Sequence, residues 1–130
     1  MAGLSGRVDS AALPLAVGDL VAILGVLAIG MLQHGTLTPE RAVGVAAPFL
    51  IGWGVAATII GAYSAAAAES AKAAIPLAVR AWVVAALVGF GLRATAVFPG
   101  GLAVAFVLIT LVLTGVLLGA FRWLFFKIVA

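Results

Sequence analysis

The chain has 130 residues, of which 66% are hydrophobic and 8% charged, with a mean hydropathy of +1.37. Soluble domains carry about a quarter charged residues, so a water-soluble fold is excluded. The formal charge of +3 does not point to nucleic acid, because the seven Lys and Arg are scattered singly, and the absence of cysteine excludes disulfides, thiol chemistry and iron–sulfur clusters.

A hydrocarbon core of about 30 Å needs about 20 residues of helix, and four apolar runs are long enough. The first covers about 13–33 and the second 39–63, with an extension as far as 74. The third covers 77–98 and the fourth 102–125. These runs use most of the chain. The expected fold is therefore all-α, a membrane-embedded antiparallel bundle of four transmembrane helices with short loops, forming one domain over 1–130.

The opening "MAGLSGRVDS" is short and polar and is read as a frayed end. The first apolar run exceeds the roughly 7 to 15 residues of a signal-peptide core and no small-x-small cleavage site follows it, so it reads as a retained helix. After it, "HGTLTPERA" carries a helix-start signal, with Thr38 as N-cap, Pro39 at the first helical position and Glu40 in the first turn. Pro48 then falls inside helix two, where its ring frees the Gly44 carbonyl and is expected to bend the helix. Trp53, near mid-membrane, is expected to line a cavity with it.

"SAAAAESAKAAIP" is alanine-rich, with Glu69 three residues before Lys72, and is read as an extension of helix two that Pro76 ends. "FPGG" makes a tight turn between helices three and four. For packing, Gly54, Thr58, Gly61 and Ala65 form a small-residue stripe on helix two, and Gly115 with Gly119 a G-x-x-x-G pair on helix four. Such stripes let helices approach within one bundle or between copies.

Charge placement sets the expected topology. Arg7, Lys72, Arg80, Arg122 and Lys127 fall on one side and Arg41 and Arg93 on the other. The positive-inside rule therefore places both termini on the cytoplasmic side of the cell membrane. Tyr63, Trp82 and Trp123 would then form a belt at that interface.

Asp19 lies about 9 Å inside helix one, too deep for its short side chain to reach the headgroups. It needs a partner, water or a proton. Arg80 and Arg122 occupy the same leaflet, and Arg122 is the better match because it lies three residues after Gly119 on the close-packing face. An Asp19 to Arg122 pair is expected, with Arg80 as second choice. Against it stands the reading of Asp19 as a helix N-terminal charge and Arg122 as a snorkelling anchor. The other leaflet holds a second polar set of Gln33, His34, Arg93 and Thr95.

Chemistry is more readily excluded than assigned. One histidine does not supply bis-histidine haem, and no cluster suits a metal such as zinc. Asp19 and His34 are roughly 22 Å apart along one helix, which excludes a Ser-His-Asp triad. There is no G-x-S-x-G elbow, P-loop or dinucleotide fingerprint. The chain is not expected to be an enzyme, and no cofactor is expected.

"GDLVAILGVLAIGMLQHG", "APFLIGWG" and "GLRATAVFPGGLAVAFVLITLVLTGVLLGAFRW" together resemble the small prokaryotic membrane family called domain of unknown function 3054. The features that carry the resemblance are Asp19, His34 with Gly35, Pro48 and Phe49 followed by Trp53, Arg93 and Arg122. The family often carries an arginine shortly before the His-Gly, where this chain has Met31 and Gln33. The resemblance implies a four-helix membrane protein and no particular activity.

Two functional expectations follow. In one, the chain is a small transporter or channel-like protein, a homo-oligomer, with Asp19 carrying a proton or cation and Arg122 tuning it. In the other, it is a structural or accessory subunit of a larger membrane complex, with Asp19 permanently salt-bridged. The bilayer is the partner in both.

Overall fold

The computed structural model describes residues 8–33, 35, 38–95 and 104–129, the side chains of 104 and 105 excepted. Four helices run in the order α1 (Pro14–Gln33), α2 (Pro39–Ile60), α3 (Ala71–Arg93) and α4 (Val104–Val129). All four contain a segment long and apolar enough to cross a membrane. The chain is an all-α four-helix bundle and a multi-pass membrane protein. Its most extensive interface joins α2 to α3, followed by α3 with α4 and α1 with α4; α1 meets α2 less extensively than these.

Local chemistry explains the boundaries. Thr38, in extended conformation, caps α2 by accepting the Arg41 backbone N–H at 3.2 Å. Gly61 ends α2 in the left-handed region, at φ 91°, where a side chain would be strained. This stop corrects two expectations. Helix two does not continue to residue 63 or 74; instead a 3-10 turn at Ala65–Ala68 follows. Ser70 then caps α3 by accepting the Ala73 N–H at 3.2 Å. Pro76 therefore lies within α3 rather than at its start. At the far ends, α3 stops at Arg93 rather than 98, and α4 continues to Val129 rather than 125.

The α2–α3 interface is built on small residues, because helices in lipid associate through close packing rather than hydrophobic drive. Gly52 lies against the Ala85 carbonyl, and a Cβ at Gly52 would fall 2.5 Å from that oxygen. Gly89 leaves room for the Phe49 ring, whose centroid is 5.2 Å from that of Phe90 and 6.1 Å from that of Phe106. Ala78, Ala81 and Ala85 are fully buried along the same seam.

The expected stripe on helix two does not form a contact surface within the bundle. A Cβ at Gly54 would meet nothing within 4 Å, Thr58 donates its hydroxyl to the Gly54 carbonyl at 2.8 Å, Gly61 is the cap, and Ala65 starts the 3-10 turn. Spacing alone identified a smooth face without indicating which face meets a neighbour. Gly115 and Gly119 do face α3, at ordinary contact distances from Trp82 and Ile75, along a shallow apolar groove open to the surface.

Gly52→Ala is expected to destabilise the protein by about 1–3 kcal/mol through overpacking, and Gly54→Ala to be neutral or stabilising by up to about 1 kcal/mol. Unfolding of both variants in detergent checks this, and equal effects would contradict the assigned interface.

Candidate functional site: a buried charge network

Asp19 lies in the second turn of α1 and Arg122 toward the end of α4, so antiparallel packing brings them to the same end of the bundle. Both are fully buried. Arg122 Nη2 donates to Asp19 Oδ2 at 2.6 Å and Nε donates to Oδ1 at 3.2 Å, a two-pronged pairing of guanidinium with carboxylate. The remaining prong, Nη1, donates to the Ala74 backbone carbonyl of α3 at 2.9 Å.

Two further residues complete the network. The Tyr63 hydroxyl donates to Asp19 Oδ2 at 2.7 Å, and Trp53 of α2 donates its indole N–H to that hydroxyl at 3.0 Å. The Arg122 guanidinium also stands 5.5 Å from the Tyr63 ring centroid. One carboxylate thus draws on all four helices: α1 holds it, α4 and the link after α2 bond it, and α2 and α3 bond its partners. Burial, and then the facing Asp19 carboxylate, push the Tyr63 phenol above its usual pKa, which keeps it protonated as a donor.

Backbone features set this geometry. Gly18 permits the approach of α1 to α4 beside the pair, since a Cβ there would overlap the Phe121 ring. The left-handed turn at Gly61 reverses the chain and sends Tyr63 back into the bundle. Its carbonyl is held from the other side by the Asp9 N–H at 2.7 Å, in a short bridge between Val8 and Tyr63.

The remaining expected residues are distributed differently. Arg80 is exposed and outside the network. Trp53 and Pro48 are buried in packing rather than edging an open path, since the indole N–H is bonded to Tyr63. The second polar set is not gathered into a cluster. Gln33 and Thr95 are exposed, Thr95 donates to the Leu92 carbonyl at 2.6 Å, Arg93 is buried against Phe106, and His34 lies outside the described residues. No group of three His, Cys, Asp or Glu side chains placed to hold a metal occurs among the described residues.

The expected belt is also corrected. Trp123 is exposed, 4.6 Å from Lys127 Nζ. Trp82, by contrast, is buried midway along α3 and donates to the Leu111 carbonyl at 2.9 Å, because α3 starts earlier than expected. Tyr63, read as a belt residue, is the member of the network that spacing missed. The available signal was the Gly61 stop two residues before it, which turns the chain back toward the bundle.

Tyr63→Phe removes a hydrogen bond to a charged group and the acceptor of the Trp53 indole, with an expected cost of about 1.5–3 kcal/mol. Trp53→Phe is expected to cost less on this account. Denaturant unfolding in mixed micelles checks the order, and an unaffected Tyr63→Phe protein would contradict it.

No curated protein and no solved structure matches the chain. A family model described as "Protein of unknown function (DUF3054)" matches residues 16–125, a span that contains Asp19, Trp53, Tyr63, Ala74 and Arg122. The chain belongs to the DUF3054 family of proteins of unknown function.

Proposed function

We propose that this protein is a structural or accessory subunit of the cell membrane, in which the Asp19–Arg122 network acts as a permanent clasp holding the four helices together. The observation that carries this reading is the closure of the carboxylate: Asp19 is 0% exposed and both its oxygens are bonded by protein donors. A carrier that used Asp19 for a proton or cation would have to displace Arg122 and Tyr63 at every cycle. That movement would leave a buried guanidinium without its partner. The chain would therefore act through its outer surface, on lipid, a second copy or a larger membrane protein, rather than by an enzymatic reaction. The α4 segment is the least covered of the four, at 22% buried against 33% to 44% for the others, which leaves it most open to such a neighbour.

Proteoliposomes carrying a lumenal pH-sensitive dye test the clasp against the transporter. Under an imposed pH gradient the wild-type protein is expected to conduct protons no faster than empty vesicles. A flux that disappears in Asp19→Asn would overturn the reading.

The proposed orientation places the clasp end, with both termini, on the cytoplasmic side, following the excess of Arg and Lys there. Because the chain has no cysteine, single substitutions report sidedness cleanly. Ser10→Cys and Val129→Cys are expected to react with impermeant maleimide only from the cytoplasmic side, and Glu40→Cys only from the outside. Labelling of each from both sides would show dual insertion instead.

A further inference from the structure

At the opposite end of the bundle, Arg93 is a charge without an ion-pair partner among the described residues. Arg93, the last residue of α3, is 8% exposed, its Nε is buried with no hydrogen-bond partner, and its guanidinium lies 4.5 Å from the centroid of the Phe106 ring on α4. No carboxylate pairs with it among the described residues, where the one ion pair is that of Arg122 with Asp19. Of the four acids in the chain, Asp9, Asp19 and Glu69 lie toward the other end, and Glu40 is exposed.

The nearby charge is of the same sign. Arg41, in the first turn of α2, stands at the same end of the bundle as Arg93, the last residue of α3. A cation in the last turn of a helix gains from the helix dipole, and a long side chain can snorkel to water. Neither effect accounts for a guanidinium held on an aromatic ring with a buried donor left open. Cation–π attraction offsets only part of the cost of removing that charge from water.

We propose that Arg93, assisted by Arg41, binds a phosphate oxyanion at this end of the bundle, supplied either by a lipid headgroup or by dissolved phosphate. The chemistry fits because a guanidinium presents several donors in one plane and is weakly hydrated, which suits tetrahedral oxyanions. The Phe106 ring lies against that guanidinium, and Arg41, at the same end of the bundle, adds the second positive charge that a phosphodiester or phosphate would neutralise.

The test uses the full chain in phosphate-free maltoside micelles, with unfolding temperature as the readout. One arm adds phosphatidylglycerol and the other inorganic phosphate. A rise in the first arm alone assigns the site to a lipid headgroup, and a rise with inorganic phosphate assigns it to the dissolved anion. Arg93→Gln is expected to lose the rise, Arg41→Gln to need about tenfold more ligand for it, and Arg80→Gln, at an exposed position elsewhere on α3, to keep it whole. In maltoside alone, Arg93→Gln is expected to melt higher than the wild type, since it removes a buried charge that has no phosphate to pair with. No rise in either arm, or an undiminished rise in Arg93→Gln, would overturn the proposal. If Arg93→Gln does not fold, Arg93→Lys takes its place, and an unchanged ligand requirement in that variant would overturn the proposal equally.

Discussion

A carboxylate buried away from water must be neutralised, bonded or both, because an uncompensated charge in low-dielectric surroundings is among the costliest features a fold can contain. Asp19 is such a group, and the end of the bundle around it is arranged to meet that requirement. Arg122 supplies the countercharge, Tyr63 a further donor, and Trp53 the donor that orients Tyr63. The closeness of α1 to α4 at Gly18, the stop at Gly61 and the bridge from Asp9 to Tyr63 all serve the same contact. A buried ion pair of this kind is weak evidence for net stability compared with an apolar core, but losing one member is severe.

The two ends of the bundle differ in how their charges are managed. At the clasp end the buried charges are matched one to one inside the protein. At the other, Arg93 rests on an aromatic ring with an open donor, and Arg41 stands at the same end of the bundle. Between them lies a seam of glycine and alanine with Phe49 at its centre, touching Trp82, Phe90 and Phe106.

Much of the architecture was legible in the sequence, for physical reasons. Four runs of about 20 apolar residues have few stable alternatives to spanning helices, and Thr38-Pro39-Glu40 marks a helix start by hydrogen-bond chemistry that needs no tertiary contact. Asp19 stood out because charge is rare here, and leaflet and helix face together singled out Arg122, the residue that meets it. What was hidden depended on the chain's path between helices. Gly61 was read as part of a packing stripe, so the turn that brings Tyr63 inward was missed and Tyr63 was assigned to the interface. Gly52 was missed because its importance comes from the Ala85 carbonyl, a backbone group with no sequence signature. Trp82 reads as a belt residue only if Pro76 starts the helix, whereas the Ser70 cap begins it earlier.

The most direct test of the clasp is a double-mutant cycle on Asp19 and Arg122, using Asp19→Asn, Arg122→Gln and the pair together, with unfolding free energy measured in a bilayer mimetic. Each single change is expected to cost about 3–5 kcal/mol, and the double variant far less than their sum, because removing both charges leaves none unpaired. Additive costs would show that the two side chains do not depend on each other and would contradict the account.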